Sequence, residues 1–360
     1  MGHQKSDGMN YAPVGQVNHV VKPDEFNVGI TALDHGHING MSNGLLEAGA
    51  TLKYVYDPDP EKVKAYVEQF PMVEVVDSLD VILNDDSIQM VAAAAVPNLR
   101  SALGNKVMRA GKDYFTDKTA FTTLEQLEET KKVVKETGRR YFVYFSERLH
   151  VEGAIFAGQL IQEGKIGRVL SVTGFGPHRL DKENRPDWFF NREEYGGILT
   201  DIGSHQIEQF LYYTDNTDAE VQASKIANYA NSDTPELDDY GDATLIGENG
   251  ATFFFQVHWF TPDGLPTWGD GRTFIVGTEG SIEVRKYIDV GVEESGSDHV
   301  IVVTHDGVET HHVAGKVGYS FFGEMILDCL NETENAMTQD HIFKAQELCL
   351  VAQRDAVKVE

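Results

Sequence analysis

The sequence predicts an α/β protein with an N-terminal doubly wound parallel sheet. An α+β domain with a large, mostly antiparallel open sheet follows it. Three observations carry that prediction. Between residues 26 and 116 short apolar runs alternate with helical patterns, the rhythm of βαβ units. The run 89–96 is apolar, as a strand covered on both faces must be. After about residue 146 the runs lengthen, and turns such as Glu248-Asn249-Gly250 separate them, which is hairpin chemistry.

Residues 1–25 are polar and aperiodic, and read as an arm, disordered or packed on a neighbouring subunit. Phe26–Ile30 is a strand running into the turn Thr31–His37. A helix with Ile38, Met41, Leu45 and Leu46 on one face follows and stops at Gly49. The strand 51–56 ends at Asp57-Pro58-Asp59-Pro60. A helix over 61–69, a strand at 73–76 and a helix at 78–84 lead to the apolar strand 89–96, closed by Pro97-Asn98. A helix over 99–110 and the strand 113–116 complete the pattern. In the second half a helix over 153–163 precedes strands at 168–177, 219–230, 241–247, 250–260, 272–277, 280–284 and 299–304. Helices at 319–331 and 338–353 close the chain. The expected division is an arm over 1–25, a dinucleotide-binding Rossmann domain over 26–146, and a substrate-binding and oligomerisation domain over 147–360.

A length of 360 residues suits two domains, and 41% hydrophobic with 24% charged residues suits a soluble globular chain. No apolar run approaches a membrane span, and no signal-peptide pattern opens the chain. The net charge of −27 argues against nucleic acid, anionic membranes and highly anionic substrates as partners. Cys329 and Cys349, the only cysteines, allow no disulfide framework, so a reducing cytoplasm is expected.

The most informative stretch is Gly196-Gly197-Ile198-Leu199-Thr200-Asp201-Ile202-Gly203-Ser204-His205. Asp201 and His205 stand four apart in a helical pattern, so they share a face that Glu208 and Gln209 continue. The glycines leave room for something to approach the backbone. An acid beside a group that titrates near neutrality is what proton transfer needs, although a helix cap beside a solvated histidine has the same pattern.

A dinucleotide site is expected where the first strand turns into its helix, because free N–H groups and the helix dipole receive a pyrophosphate there. The glycine fingerprint is damaged. Counted from Gly29, it would need glycines at Thr31 and Asp34, and the chain offers Gly36 between His35 and His37. Asp57, after the second strand, is placed to accept the adenosine ribose hydroxyls and repel a 2′-phosphate, which favours NAD over NADP. His35 and His37 have no third and fourth ligand at suitable spacing, so no metal is expected.

These residues resemble the glucose-fructose oxidoreductase / inositol dehydrogenase / rhizopine-catabolism (Gfo/Idh/MocA) family over about 26–360. The resemblance rests on Val96-Pro97-Asn98, Ala110–Thr119, Ile161–Gly167 and the Gly196–His205 stretch, in order and spacing. It implies that Lys118 matches the lysine of the family's E-K-P motif, and that Asp201, Gly203 and His205 match D-x-G-x-H. The implied cofactor contacts are Gly29, His35, Gly36, His37, Ile38, Asp57, Ala95, Pro97, Asn98, Asp117 and Lys118. The chain departs from the family at Asp117 for Glu, Thr119 for Pro, and Arg100 where a histidine commonly follows P-N. Without proline, a cis bond after Lys118 is not expected, because a non-proline cis bond costs about 2.5–4 kcal/mol.

The reaction this implies is hydride transfer between NAD and a secondary hydroxyl of a sugar, polyol or derivative. His205 would be the general base and Lys118 would stabilise alkoxide charge. Asp201 would orient the site and favour charged His205. Arg148, His178, Arg179 and Trp188 are the expected substrate contacts. A sugar lyase or epimerase recycling tightly bound NAD would use the same residues, and a non-catalytic nucleotide-binding sensor is the remaining alternative. The open sheet of the second domain points to a homodimer or homotetramer.

Overall fold

The computed structural model describes residues 7–292 and 296–359, in two compact units. One unit comprises Met9–Tyr144 and Tyr319–Phe343; the other takes in Gly8, Phe145–Gly318 and the chain from Lys344 onward. Residues 319–343, assigned by sequence to the second domain, therefore belong with the first.

The first unit runs β1 (Asn27–Thr31), α1 (His37–Glu47), β2 (Thr51–Tyr56), α2 (Pro60–Gln69), β3 (Glu74–Val75), α3 (Leu79–Asn84), β4 (Ile88–Ala93), α4 (Pro97–Arg109), β5 (Asp113–Asp117), α5 (Leu124–Thr137) and β6 (Tyr141–Tyr144). The six strands are parallel, in the order β3-β2-β1-β4-β5-β6. Chain direction across the sheet reverses between β1 and β4, so their carboxyl ends border the crevice where such sheets bind ligands. All of β1 and β6 is buried, which is why neither alternates. The sequence reading did not include β6. Local chemistry starts and stops the helices. Asp59 accepts the Glu61 N–H at 2.9 Å with Pro60 as the first helical residue of α2, and α5 ends on Gly138 at φ 66°.

Residues 9–25 of the expected arm pack on the first unit; residues 1–6 lie outside the described residues. Main-chain bonds run from Asn18 N to Glu47 O (2.8 Å) and from Val20 N to Ala48 O (2.9 Å), and Val21 is buried. Val20 sits against Gly323, so two valines in a polar stretch are enough to dock it.

The second unit contains α6 (Ser146–Leu149), α7 (Glu152–Gln162), β7 (Val169–Pro177), α8 (Arg192–Tyr195), α9 (Ile198–Asp201), α10 (Gly203–Thr214), β8 (Ala219–Ala227), β9 (Tyr240–Gly247), β10 (Thr252–His258), β11 (Arg272–Gly277), β12 (Gly280–Arg285), β13 (His299–Thr304) and β14 (Gly307–His312). Then come α11 (Ser320–Asn331), α12 (Gln339–Arg354) and β15 (Val357–Val359). The second sheet has nine strands in the order β14-β13-β12-β11-β7-β10-β9-β8-β15. Only β7 with β10 and β8 with β15 pair parallel. Period-two alternation divides its faces. Phe253 and Phe255 are buried, with the Phe210 ring of α10 stacked on Phe253 at 4.7 Å, while Phe254 and Phe274 face outward. No described helix is long and apolar enough to cross a membrane.

Candidate active site

At the carboxyl edge of the parallel sheet, Asp117 ends β5 with no exposed surface. His37 Nδ1 lies 2.9 Å from Asp117 Oδ1, and a carboxylate can only accept, so the ring donates. The His37 main-chain N–H in turn donates to His35 Nδ1 at 3.2 Å, and that nitrogen is 3.4 Å from Asp117 Oδ2. Arg100, fully buried, donates from Nη2 to Asp117 Oδ2 (3.3 Å), from Nε to Ala95 O (2.7 Å) and from Nη1 to Thr119 O (3.0 Å). Burial alone would raise the Asp117 pKa. The charges of His37 and Arg100 outweigh it and hold the carboxyl well below its ordinary range. Burial, then the charge of His37, drives His35 well below the ordinary histidine value and keeps it neutral.

Two expectations change here. The Lys118–Thr119 peptide bond is cis although no proline follows Lys118. Thr119 is buried and its carbonyl accepts from Arg100 Nη1. His35 and His37 do acquire a third potential ligand. Asp117 brings the three ligand atoms within 4.8 Å of one another, a grouping that sequence spacing hid because Asp117 arrives on another strand. Arg100 and Lys118 already place positive charge beside the cluster, which favours a hydrogen-bonded clamp over a cation.

The glycines of the turn serve protein contacts. A Cβ on Gly29 would lie 2.3 Å from Ile82 Cγ2 under α3. One on Gly36 would lie 2.6 Å from Met9 O and 2.5 Å from Asn10 Oδ1 of the arm. Asp57 is pinned, with Oδ2 accepting the Leu33 N–H (2.7 Å) and Oδ1 the Asp59 N–H (2.9 Å), and two carboxylate lone pairs remain for a ribose. Ile38 and Ala95 are buried beside the β1 and β4 turns, and Pro97 is the first residue of α4. A dinucleotide fits this edge. The buried Oδ1 of Asn98, at the start of α4, has no hydrogen-bond partner among the described residues, which is an acceptor left for a ligand donor.

In the second unit Gly196 (φ 87°) and Gly197 (φ 105°) turn the chain into α9. What approaches Gly197 is the Gln353 side chain, 2.3 Å from where a Cβ would stand. Its Oε1 accepts the Leu199 N–H at 2.8 Å. The expected single helix breaks at Ile202: His205 N bonds Ile202 O at 3.2 Å, and α10 begins at Gly203. The expected polar face is not a solvent face. His205, Gln206, Glu208 and Gln209 are all buried, while Asp201 is partly exposed.

The buried polar residues of α10 find partners that the sequence did not reveal. Arg148 of α6 grips Glu208, with Nε 2.7 Å from Oε1, and its guanidinium lies 3.9 Å over the Tyr212 ring. Arg148 is thereby tied to α10. Glu147 Oε2 accepts from Gln206 Nε2 and Lys286 Nζ, each at 2.8 Å, with Lys286 fully buried. His178 packs between Trp259 (5.4 Å) and Trp268 (4.4 Å), with Nε2 3.9 Å from Glu147 Oε1. Arg179 anchors a loop, donating from Nη2 to Leu265 O (2.6 Å) and Pro262 O (3.0 Å). Trp188 is partly exposed beside Phe189. The unanticipated members, Glu147, Gln206, Lys286 and Trp259, have no periodic signature and left no local signal in the sequence.

Comparison with known proteins agrees with this architecture. Residues 28–145 match the oxidoreductase family with an NAD-binding Rossmann fold, and residues 156–283 match the GFO/IDH/MocA C-terminal domain. A structure of a putative oxidoreductase from Erwinia carotovora atroseptica is 47% identical, covers 93% of this chain and 100% of its own, and superposes with a TM-score of 0.90. A D-xylose dehydrogenase of Paenarthrobacter nicotinovorans is 32% identical over 149 residues, which are 40% of this chain and 38% of that protein. An NADP-dependent scyllo-inositol 2-dehydrogenase of Bacillus subtilis is 30% identical over 212 residues, 55% of this chain and 56% of that protein. The chain thus spans less than two thirds of the length of either curated relative.

Proposed function

Since the chain belongs to the GFO/IDH/MocA family of NAD-dependent oxidoreductases, we propose that it oxidises a secondary hydroxyl of a sugar, polyol or derivative, or reduces the corresponding ketone. The position of Lys118 carries this reading. It is buried at the carboxyl end of β5, one strand from the β1/β4 reversal where such sheets receive dinucleotides. When bound, NAD supplies the hydride acceptor. Asp57 and Asn98 would hold it, with the α1 amino terminus facing its pyrophosphate.

The remaining chemistry is the protein's own. The Lys118 ammonium donates a hydrogen bond to the substrate oxygen and offsets its negative charge as the proton leaves. A ring nitrogen of His205 takes that proton. Asp201 orients the hydroxyl and favours the protonated imidazole. The Asp117–Arg100 clamp holds the main chain on either side of Lys118.

We also place the protein in the cytoplasm, in keeping with its free thiols, and as a homodimer or homotetramer. The outward sheet face, where Phe254, Phe274 and Val276 are 36–45% exposed, suits burial against another copy. A stable monomer by light scattering at micromolar concentration overturns the assembly. The first test of function is a fluorescence titration with NADH and NADPH beside an assay of the heat-denatured supernatant for released nucleotide. Tight NADH binding and NAD reduction by a sugar or polyol support the proposal. Released NAD without net NADH formation points to internal recycling and overturns net dehydrogenation.

A further inference from the structure

The chain between β7 and α8 holds a buried cation that pairs with no carboxylate among the described residues. Arg185 is 9% exposed, and its guanidinium carbon lies 4.6 Å from the Phe189 ring centroid and 5.0 Å from that of Trp259. Two of its donors are spent on main-chain carbonyls: Nε to Leu180 O (2.8 Å) and Nη2 to Arg179 O (3.3 Å). Nη1 bonds no described residue, and among the described residues no carboxylate comes within 4.0 Å of the group. Asp7, Asp201 and Asp181 support its charge only from a distance. A buried cation without a partner is costly unless something supplies one.

The surroundings point to that partner. Trp259 is shared with His178, so Arg185 lies on the same aromatic wall as a residue already expected to meet substrate. Asp201 of the proton-transfer motif is among the charges that act on it. An aromatic wall suits the apolar face of a sugar ring, and a guanidinium with free N–H groups suits planar oxygens held two at a time. Arg179, the neighbouring cation, is already turned to the carbonyls of Pro262 and Leu265, so a single positive group is on offer. A monoanion matches one guanidinium; a phosphate dianion in a chain of net charge −27 does not.

We infer that Arg185 receives a carboxylate of the substrate, so that the substrate class is a sugar acid or polyol acid rather than a neutral sugar. The inference rests on the oxidoreductase reading for the existence of a sugar-like substrate, and its test is a binding measurement that needs no turnover. Tryptophan emission would be followed while full-length protein is titrated with D-gluconate against D-glucitol, D-glucuronate against D-glucose, and D-glucose 6-phosphate. A bidentate charge-assisted pair predicts that each carboxylate binds roughly ten- to a hundredfold more tightly than its neutral counterpart.

Arg185→Met keeps the stacked stem and should erase that difference, while Arg185→Lys should recover part of it. Equal or tighter binding of the neutral member, or a preference that survives in Arg185→Met, overturns the inference. The sugar phosphate binding tightest also overturns it and makes the anion a phosphate. If Arg185→Met does not fold by urea melting, the wild-type pairs decide alone. NAD reduction with neutral polyols only would sink the carboxylate and spare the oxidoreductase; carboxylate preference without NAD reduction would do the reverse.

Discussion

His37 and Asp117, 80 positions apart in the chain, meet in a 2.9 Å ring-to-carboxylate hydrogen bond where β1 and β5 end. The carboxylate also neutralises Arg100, which has no exposed surface. Asp117→Ala therefore strands a buried guanidinium and should cost about 3–5 kcal/mol in urea unfolding at pH 7. Because the folded-state pKa is depressed, this stability is present above the ordinary carboxylate range and is lost as pH falls below it. A loss under about 1 kcal/mol would show that the clamp is incidental.

Lys118→Ala and His205→Gln should each lower turnover by about 10²–10⁴-fold while leaving the NADH dissociation constant within a fewfold of wild type. Steady-state rates beside fluorescence titration separate the two effects. Equal losses in rate and NADH affinity would remove Lys118 from the chemistry.

Asp57 has two tasks, because its oxygens pin the Leu33 and Asp59 N–H groups as well as facing the expected ribose. Asp57→Asn should keep one main-chain bond and reduce the preference for NADH over NADPH by about tenfold or more, as the charge that repels a 2′-phosphate goes. Paired titrations with both cofactors check this; an unchanged ratio assigns Asp57 to the turn alone.

The Arg148–Glu208 pair predicts a non-additive cycle. Glu208→Gln or Arg148→Met alone should destabilise the protein by about 3–5 kcal/mol, since each strands a buried charge. The double variant should cost much less than the two losses added. Additive losses in urea melts would mean that the two side chains do not stabilise one another.

Asp298 is a buried acid whose pKa is pushed up to about 6 by desolvation, although it accepts the Gly153 N–H at 2.7 Å. A raised acid pKa means that the folded state binds a proton before the unfolded state does. Stability from this group is greatest below the unfolded value near 4 and declines as pH rises to about 6. Asp298→Asn keeps an acceptor and suits the φ of 57°, so it should melt higher than wild type at pH 7.5 and lose that advantage by pH 4.5. Superimposable melting profiles across that range would contradict the burial of a charge there.

Much of the architecture was legible because parallel sheets write themselves as uniformly apolar runs and antiparallel ones as alternation. The doubly wound first half and the largely antiparallel second half followed from period alone. Motif order is what singled out Lys118, Asp201 and His205. What failed were inferences about local shape. Thr119 argued against a cis bond that is nevertheless present, and what approaches Gly197 is the Gln353 side chain. Long-range pairs such as Arg148–Glu208 and Glu147–Lys286 were invisible because neither partner breaks a local rule.

The return of residues 319–343 to the first unit has a consequence for synthesis. Gln339 acts as a one-residue strand on the open edge of β6, accepting the Tyr141 N–H at 2.8 Å and donating to the Tyr141 carbonyl at 3.3 Å. Phe322 fills the notch at Gly44 and packs on Tyr144 and Phe115. A ribosome that has delivered residue 144 has therefore made a sheet with a bare edge and an unfilled aromatic notch. Both stay open until translation has passed the whole of 145–318. Newly made amino-terminal segments must wait in that state, so the interval between translating β6 and α11 is when this chain most needs a chaperone.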